Sequence, residues 1–221
     1  MTGPQYPAVG MPDLGDSRPT LKDEAGSIVR RALMSGAMQP GKIYSANALA
    51  IQLGVSNSPV REAMMALSEK GLLEVVRNRG FRVVEMSAED QREIYGLRLL
   101  IEVTAVGRVA EQGISADDGK QLSAMAKATL AAANPNTMDD YLELDHEFHL
   151  SIVRLLGSPR LSKIVENLRD QSRVSGSYHL AERGLIATSA AEHAPILSGL
   201  IAGDRKLVES LMTKHLSYSL P

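Results

Sequence analysis

The sequence predicts a mainly α-helical protein in two parts: three short helices closed by a β-hairpin, then an antiparallel all-α bundle. Three observations carry that prediction. Aromatic residues make up 4% of 221, with no Trp and two Phe, so the cores must be built from Leu, Ile, Val, Met and Ala, a composition that favours packed helices. Two β-type runs stand together, Leu72 to Val76 and Phe81 to Val84. From Ser87 onward each segment repeats its apolar residues every three to four positions, the spacing of a helix against a core.

Taken in order, residues 1–18 are rich in Pro and Gly and lack a basic or apolar leader pattern, which predicts a disordered tail and no signal peptide. Residues 19–86 form the first unit. Leu21, Ala25, Ile28, Val29, Ala32 and Leu33 give one helical stripe, which stops at Gly36. Ser45 is placed to N-cap a second helix that ends at Gly54, and Ser56 to N-cap a third, with Pro59 in its first turn, where a missing N–H costs little. Only Gly54-Val55 separates the two, the short turn of a helix-turn-helix. Arg77-Asn78-Arg79-Gly80 joins the β-type runs as a turn carrying two cations, so three helices and a basic-tipped hairpin make a winged helix-turn-helix. In residues 87–221, Ser87 with Asp90 three residues on reads as an N-cap. Helices are then expected over 88–112, 115–133, 137–156, 160–182, 188–202 and 205–218, a six-helix antiparallel bundle.

The chain contains no Cys, which excludes disulfides, thiolate metal sites and Cys nucleophiles and suits a reducing cytoplasm. No apolar run approaches the roughly 18 residues of a membrane span, so no membrane partner is expected. The net charge is −2 but is unevenly spread. Residues 19–86 hold nine Lys and Arg against six Asp and Glu; residues 87–221 hold fourteen against eighteen. A basic front and an acidic rear suit nucleic-acid binding by the front alone.

Pro40-Gly41, Leu49-Ala50, the string Leu53-Gly54-Val55-Ser56-Asn57-Ser58-Pro59-Val60-Arg61-Glu62-Ala63, Leu67 and Gly71-Leu72-Leu73 resemble the GntR family of bacterial transcription regulators. The helical remainder resembles the FCD effector-binding domain of the family's FadR subgroup, in its VanR-like six-helix form. The resemblance implies a homodimeric DNA-binding regulator, most often a repressor, that reads a pseudo-palindromic operator. In a recognition helix the N-terminal residues reach base edges in the major groove, which makes Ser56, Asn57, Ser58 and Arg61 candidate DNA contacts. Arg61 is suited to a bidentate guanine contact or a phosphate clamp. At the wing, Arg79 has the reach for a minor groove and Gly80 allows close backbone approach. The family usually carries Arg where this chain has Asn57, and a polar or charged residue, often Arg, near Asn47. Two fewer cations lower non-specific affinity, and Asn favours adenine where Arg favours guanine.

In the rear half, Asp145 and His149 fall one turn apart within the stripe Met138, Tyr141, Leu142, Phe148, Ile152 and Leu155. His193 precedes an inward stripe of Ile196, Leu197, Leu200 and Ile201, and His215 follows Val208, Leu211 and Met212. Each buried polar group needs a partner, and one divalent cation would satisfy all four. The same four positions match the metal-binding pattern of metal-containing FCD domains. Three imidazoles and a carboxylate suit Zn, Ni, Mn or Fe. His146 sits about 100° round the helix from Asp145 and is left out; His179 lies outside the pattern. Arg98 shares a face with Ile94, Ile101 and Ala105. It is expected either to bridge Glu102 or, as the resemblance implies, to bind the carboxylate of a small organic-acid effector beside the metal.

Two other readings compete. A His/Asp metal site is able to activate water for hydrolysis, but Glu147, the nearest carboxylate on that helix, points away from the Asp145 face. The expectation is therefore no enzyme and no catalytic residue. A DNA-binding regulator with a purely structural metal is the other alternative.

Overall fold

Thr20 starts the first helix with a capping box: its hydroxyl accepts from the Asp23 amide, and the Asp23 carboxylate accepts from the Thr20 amide. The computed structural model describes residues 19–219, apart from the side chains of residues 135, 175–179, 181, 182 and 219. The expected disordered tail, residues 1–18, lies outside the described residues.

Helix α1 (Leu21–Met34) is followed by a short strand β1 (Ile43–Tyr44), α2 (Ala46–Leu53), α3 (Asn57–Glu69), β2 (Leu73–Val76) and β3 (Gly80–Val83). The Ser45 hydroxyl accepts from the Ala48 amide and caps α2, whereas Ser56 occupies the N-cap of α3 without making a side-chain cap bond. Gly54, at φ 69°, supplies the left-handed turn between α2 and α3 that a side chain would strain. The sequence reading missed β1, two residues too short to alternate. It pairs antiparallel with β3, which also pairs with β2, giving the order β1-β3-β2. Val29, Leu33, Val60, Met64, Leu67, Leu72, Phe81 and Val83 fill the space between helices and sheet.

The rear half begins at α4 (Ala88–Arg98), where Ser87 and Asp90 form a second capping box. Helix α4 does not run straight into α5 (Thr104–Gln112), because residues Leu99–Val103 form a π-helical turn. There follow α6 (Ala116–Ala131), α7 (Met138–Arg154), α8 (Pro159–Glu182), α9 (Ile186–Ala191), α10 (His193–Ala202) and α11 (Arg205–Leu216). The helix expected over 188–202 is thus two helices that meet at Glu192, and His193 is the first residue of the second. Val106, Val109, Phe148, Ile152, Ile196, Leu200, Val208 and Met212 form the bundle core.

The two halves share a wall. Helix α1 packs on α7 and α8, and Tyr141, Leu142, Val174, Ile186 and Ala190 belong to the same apolar cluster as the winged-helix core. Helix α8 is therefore two-sided. Glu166 pairs with Lys70 at 3.5 Å, Asp170 with Arg30, and Gln171 donates to the Lys70 carbonyl at 2.8 Å, all toward the winged helix. Arg169, Ser172 and Arg173 line a cavity in the bundle instead.

Candidate functional site

On the winged helix, Asn47, Ser56, Asn57, Ser58, Arg61 and Arg79 are all exposed. Neither Glu62 nor Glu69 pairs with Arg61: Glu62 instead accepts from the Ser58 hydroxyl at 2.9 Å, and Arg61 makes no salt bridge among the described residues. The amide of Asn57 donates to the Asn47 side chain at 3.3 Å, so the two positions that depart from the family pattern meet each other across the helix-turn-helix. At the wing, Arg77, Asn78 and Arg79 form the exposed turn, with Asn78 at φ 61°. Gly80 also has a structural task within the fold. At φ 129°, a Cβ there would collide with the Tyr44 carbonyl, so its missing side chain makes room for β1.

In the bundle, α7, α10 and α11 bring Asp145, His149, His193 and His215 together, with one ligating atom from each lying within 4.8 Å of the others. All four are buried, at 5%, 1%, 0% and 6% exposure. His149 Nε2 stands 3.0 Å from His215 Nε2 and 3.7 Å from Asp145 Oδ1; His193 Nε2 lies 3.1 Å from Asp145 Oδ1. In a tetrahedral site with bonds of 2.0–2.1 Å the ligand atoms sit about 3.3 Å apart, which these separations straddle. The His149 Nδ1 and His193 Nδ1 atoms have no hydrogen-bond partner, and His193 Nε2 has only the Asp145 carboxylate beside it, without the direction of a good hydrogen bond. Orphaned polar atoms in a core are costly; a cation held through one nitrogen of each ring would give His193 Nε2 a partner, while His149 Nδ1, on the far side of a ring whose Nε2 faces the cluster, would stay unpaired. Burial pushes the His149 and His193 imidazoles below their ordinary range, which favours the neutral form that a metal ion requires. The four residues fit a metal ion.

The Asp145 carboxylate divides its oxygens. Oδ1 faces the imidazoles, while Oδ2 accepts from Arg169 Nη2 at 2.7 Å and, in close contact, from Arg173 Nη2. Burial would raise this carboxyl, but Arg173 and the other positive neighbours outweigh that and hold it well below the usual carboxylate range. Arg169 Nη1 also donates to Glu102 Oε2 at 2.9 Å, and Glu102 Oε1 accepts from Arg98 Nε at 2.6 Å. Arg98 Nη1 donates to Ser172 Oγ at 3.0 Å, and neither bond uses Nη2. Both roles considered for Arg98 thus coexist: it bridges Glu102, but deep in the core at 6% exposure, and it lines the same cavity as Asp145 and His215. That cavity, of about 70 Å³, also touches Tyr141, Arg169, Arg173, Ser189 and Tyr218.

Several of these residues gave no sequence signal. Arg169 and Arg173 read as ordinary charged positions of an amphipathic helix, and Glu102 only as an i,i+4 partner for Arg98. Glu192 ends the segment before His193 and accepts from His215 Nδ1 at 3.1 Å, from Lys214 at 2.8 Å and from the Tyr218 hydroxyl at 2.8 Å. Its hold on Nδ1 directs His215 Nε2 into the cluster, the usual service of an outer carboxylate to a ligating imidazole. His146, left out of the ligand set, is 2% exposed and turns away to meet Arg30 Nη2 at 2.9 Å. Glu147 likewise points elsewhere, pairing with Arg154 at 2.7 Å.

Comparison with known proteins follows the same division. Residues 21–83 match the family described as bacterial regulatory proteins, gntR family, and residues 93–218 match the FCD domain. The HTH-type transcriptional repressor RspR of Escherichia coli (strain K12) is 30% identical over 192 residues, covering 86% of this chain and 82% of that protein. A probable D-xylose utilization operon transcriptional repressor of Paenarthrobacter nicotinovorans is 28% identical over 206 residues, covering 93% and 89%. Among solved structures, E. coli McbR/YncC superposes with a TM-score of 0.80 over 90% of this chain and 94% of that one; at 24% identity the likeness is one of fold.

Proposed function

The chain belongs to the GntR family of bacterial regulatory proteins and carries an FCD domain, and from that premise we propose that it is a repressor whose grip on DNA is set by a small organic acid bound at a metal centre. We divide it into a reading unit, 19–86, and a sensing and dimerising unit, 87–221. In this reading Asn47, Ser56, Asn57, Ser58 and Arg61 meet the major groove and Arg79 the minor groove, with Gly80 shaping the wing behind it. Two copies place two recognition helices on a pseudo-palindrome. The exposed Leu97 and Leu100, 38% and 70% accessible beside α4, support an association face. No helix among the described residues is long and apolar enough to cross a membrane. We place the protein with its DNA in the cytoplasm.

The observation that carries the sensing half is the cluster of Asp145, His149, His193 and His215, two of which, Asp145 and His215, line a cavity that Arg98 also lines. A bound metal would supply a Lewis acid for oxygen ligands. Arg98, held at Nε and Nη1, keeps Nη2 for an anion, and Ser172, Ser189 and Tyr218 add hydroxyls around it. The small cavity selects a compact carboxylate. An effector acts only as far as it favours one DNA-binding pose over another.

Selection of duplexes from a random library, followed by gel shifts, tests the whole reading. Two-fold symmetric sites should emerge, and Zn(II) with malonate or citrate should change their affinity at least fivefold. Selection of no symmetric site would sink the DNA half. A chelator that lowers the melting point, with no acid altering DNA binding, would make the metal structural only.

A further inference from the structure

Between the two halves lies one buried polar cluster that neither DNA contact nor metal binding explains. Arg30 projects from α1 of the winged helix into the face shared by α7 and α8. Its Nε donates to both Asp170 oxygens, at 3.0 and 2.9 Å, and its Nη2 to Oδ1 at 2.6 Å. Asp170 is 0% exposed. The His146 Nε2 atom lies 2.9 Å from Arg30 Nη2, and Glu143 completes the set at 3.3 Å. Losing one partner of such a buried pair leaves an uncompensated charge, so the pair is a strict constraint on how α1 sits.

The partners of Arg30 occupy telling positions. Asp170 follows Arg169, which holds Asp145 and Glu102; His146 follows Asp145 itself. Helices α7 and α8 therefore each present a sensing-site residue on one face and an Arg30 partner at the next position, about 100° round. A helix moves as a rigid body, so any rotation that a ligand imposes through Asp145, Arg169 or Arg173 is felt at His146 and Asp170. Arg30 is the side chain of the winged helix that holds both.

We infer that Arg30 is a positioning residue that transmits the state of the metal-lined cavity to the DNA-binding unit, through Asp170 on α8 and His146 on α7. The inference rests on the sensing role proposed above. It makes coupling separable from both binding functions, because Arg30 belongs to neither surface.

The test uses the full chain, which has no Cys of its own, so single labels at Ile51→Cys and Lys127→Cys report the distance between the halves by energy transfer. Doubly labelled protein is diluted into an excess of unlabelled protein and titrated with Zn(II), then citrate. Wild type should show a ligand-dependent shift in transfer efficiency. Arg30→Gln should bind Zn(II) within threefold of wild type yet lose at least four-fifths of the shift, and Arg30→Lys should recover part of it. Asp170→Asn, which breaks the pair from the other side, should behave as Arg30→Gln does and covers the case in which that variant fails to fold. A full shift in Arg30→Gln or Asp170→Asn overturns the inference, as does a wild type that binds Zn(II) and citrate with no shift. Failure of wild type to bind Zn(II) is a different result: it overturns the sensing reading and this inference with it.

Discussion

Arg61 on α3 stands in solvent with no ion pair among the described residues, whereas Asp145 on α7 is 5% exposed, holds two guanidiniums on one oxygen and turns the other toward three imidazoles. Both are candidates for binding something the chain does not contain. The difference lies in what the fold loses without them. A DNA-contacting side chain waits in water, fully hydrated, and contributes little to folding. The metal-site side chains are part of the core, so their binding role and their structural role are the same set of bonds. Surface sites are free to change specificity one residue at a time; buried sites change only together with their neighbours.

Substitutions that separate affinity from stability would sharpen or break that contrast. The largest effect is expected from Asp145→Ala, which takes from Arg169 and Arg173 the carboxylate they share and leaves Glu102 to face Arg98 and Arg169 alone. It should cost about 3–5 kcal/mol in urea unfolding as well as abolishing metal binding; a loss under about 1 kcal/mol would show the network to be solvated. Next comes the metal itself. Saturating protein at a hundredfold excess over Kd should add about 2.7 kcal/mol, or roughly 5–10 °C in melting temperature, and chelation should remove it. Arg61→Ala should leave the melting temperature alone and weaken operator binding by about 10- to 150-fold in gel shifts. Unchanged binding would remove Arg61 from the interface. Smallest of all is Asn57→Arg, which breaks the Asn47 contact and restores the cation usual in the family. The slope of log affinity against log salt should steepen by about 0.9 for each protomer, or about 1.8 for the dimer.

The sequence was readable to different depths in these two regions, for physical reasons. Short helices, their Ser45 and Ser87 caps and the basic hairpin are local features, and local spacing revealed them. Asp145 and His149 stood out because polar residues interrupted an apolar stripe, and His193 and His215 because apolar neighbours fixed their faces. No such interruption marked Glu102, Arg169 or Arg173. A charged residue on a helix ordinarily faces water, and only three-dimensional packing shows that Glu102 meets Arg98 and Arg169, and that Arg169 and Arg173 meet Asp145, out of it. Ser56 misled by type: it holds the N-cap position but makes no capping bond. Strand β1 was missed because its two residues gain their conformation from β3, not from their own pattern.

The π-helical turn at Leu99–Val103 carries a consequence for chain length. An ordinary helix has no place for the extra residue of such a turn, so α4 and α5 obey two different helical phases, and a single wheel drawn over 88–112 misassigns one of them. Deleting one residue there, such as Leu100 at 70% exposure, would allow a regular helix to form. The π turn absorbs that residue locally, so the segments on either side of the deletion would keep nearly their present relative orientation. Arg98 would keep its place at the cavity, now three residues from Glu102 instead of four. A homologue one residue shorter at this point would therefore keep Asp145, His149, His193, His215 and Arg98 in register, and the extra residue here is one the fold tolerates and does not require.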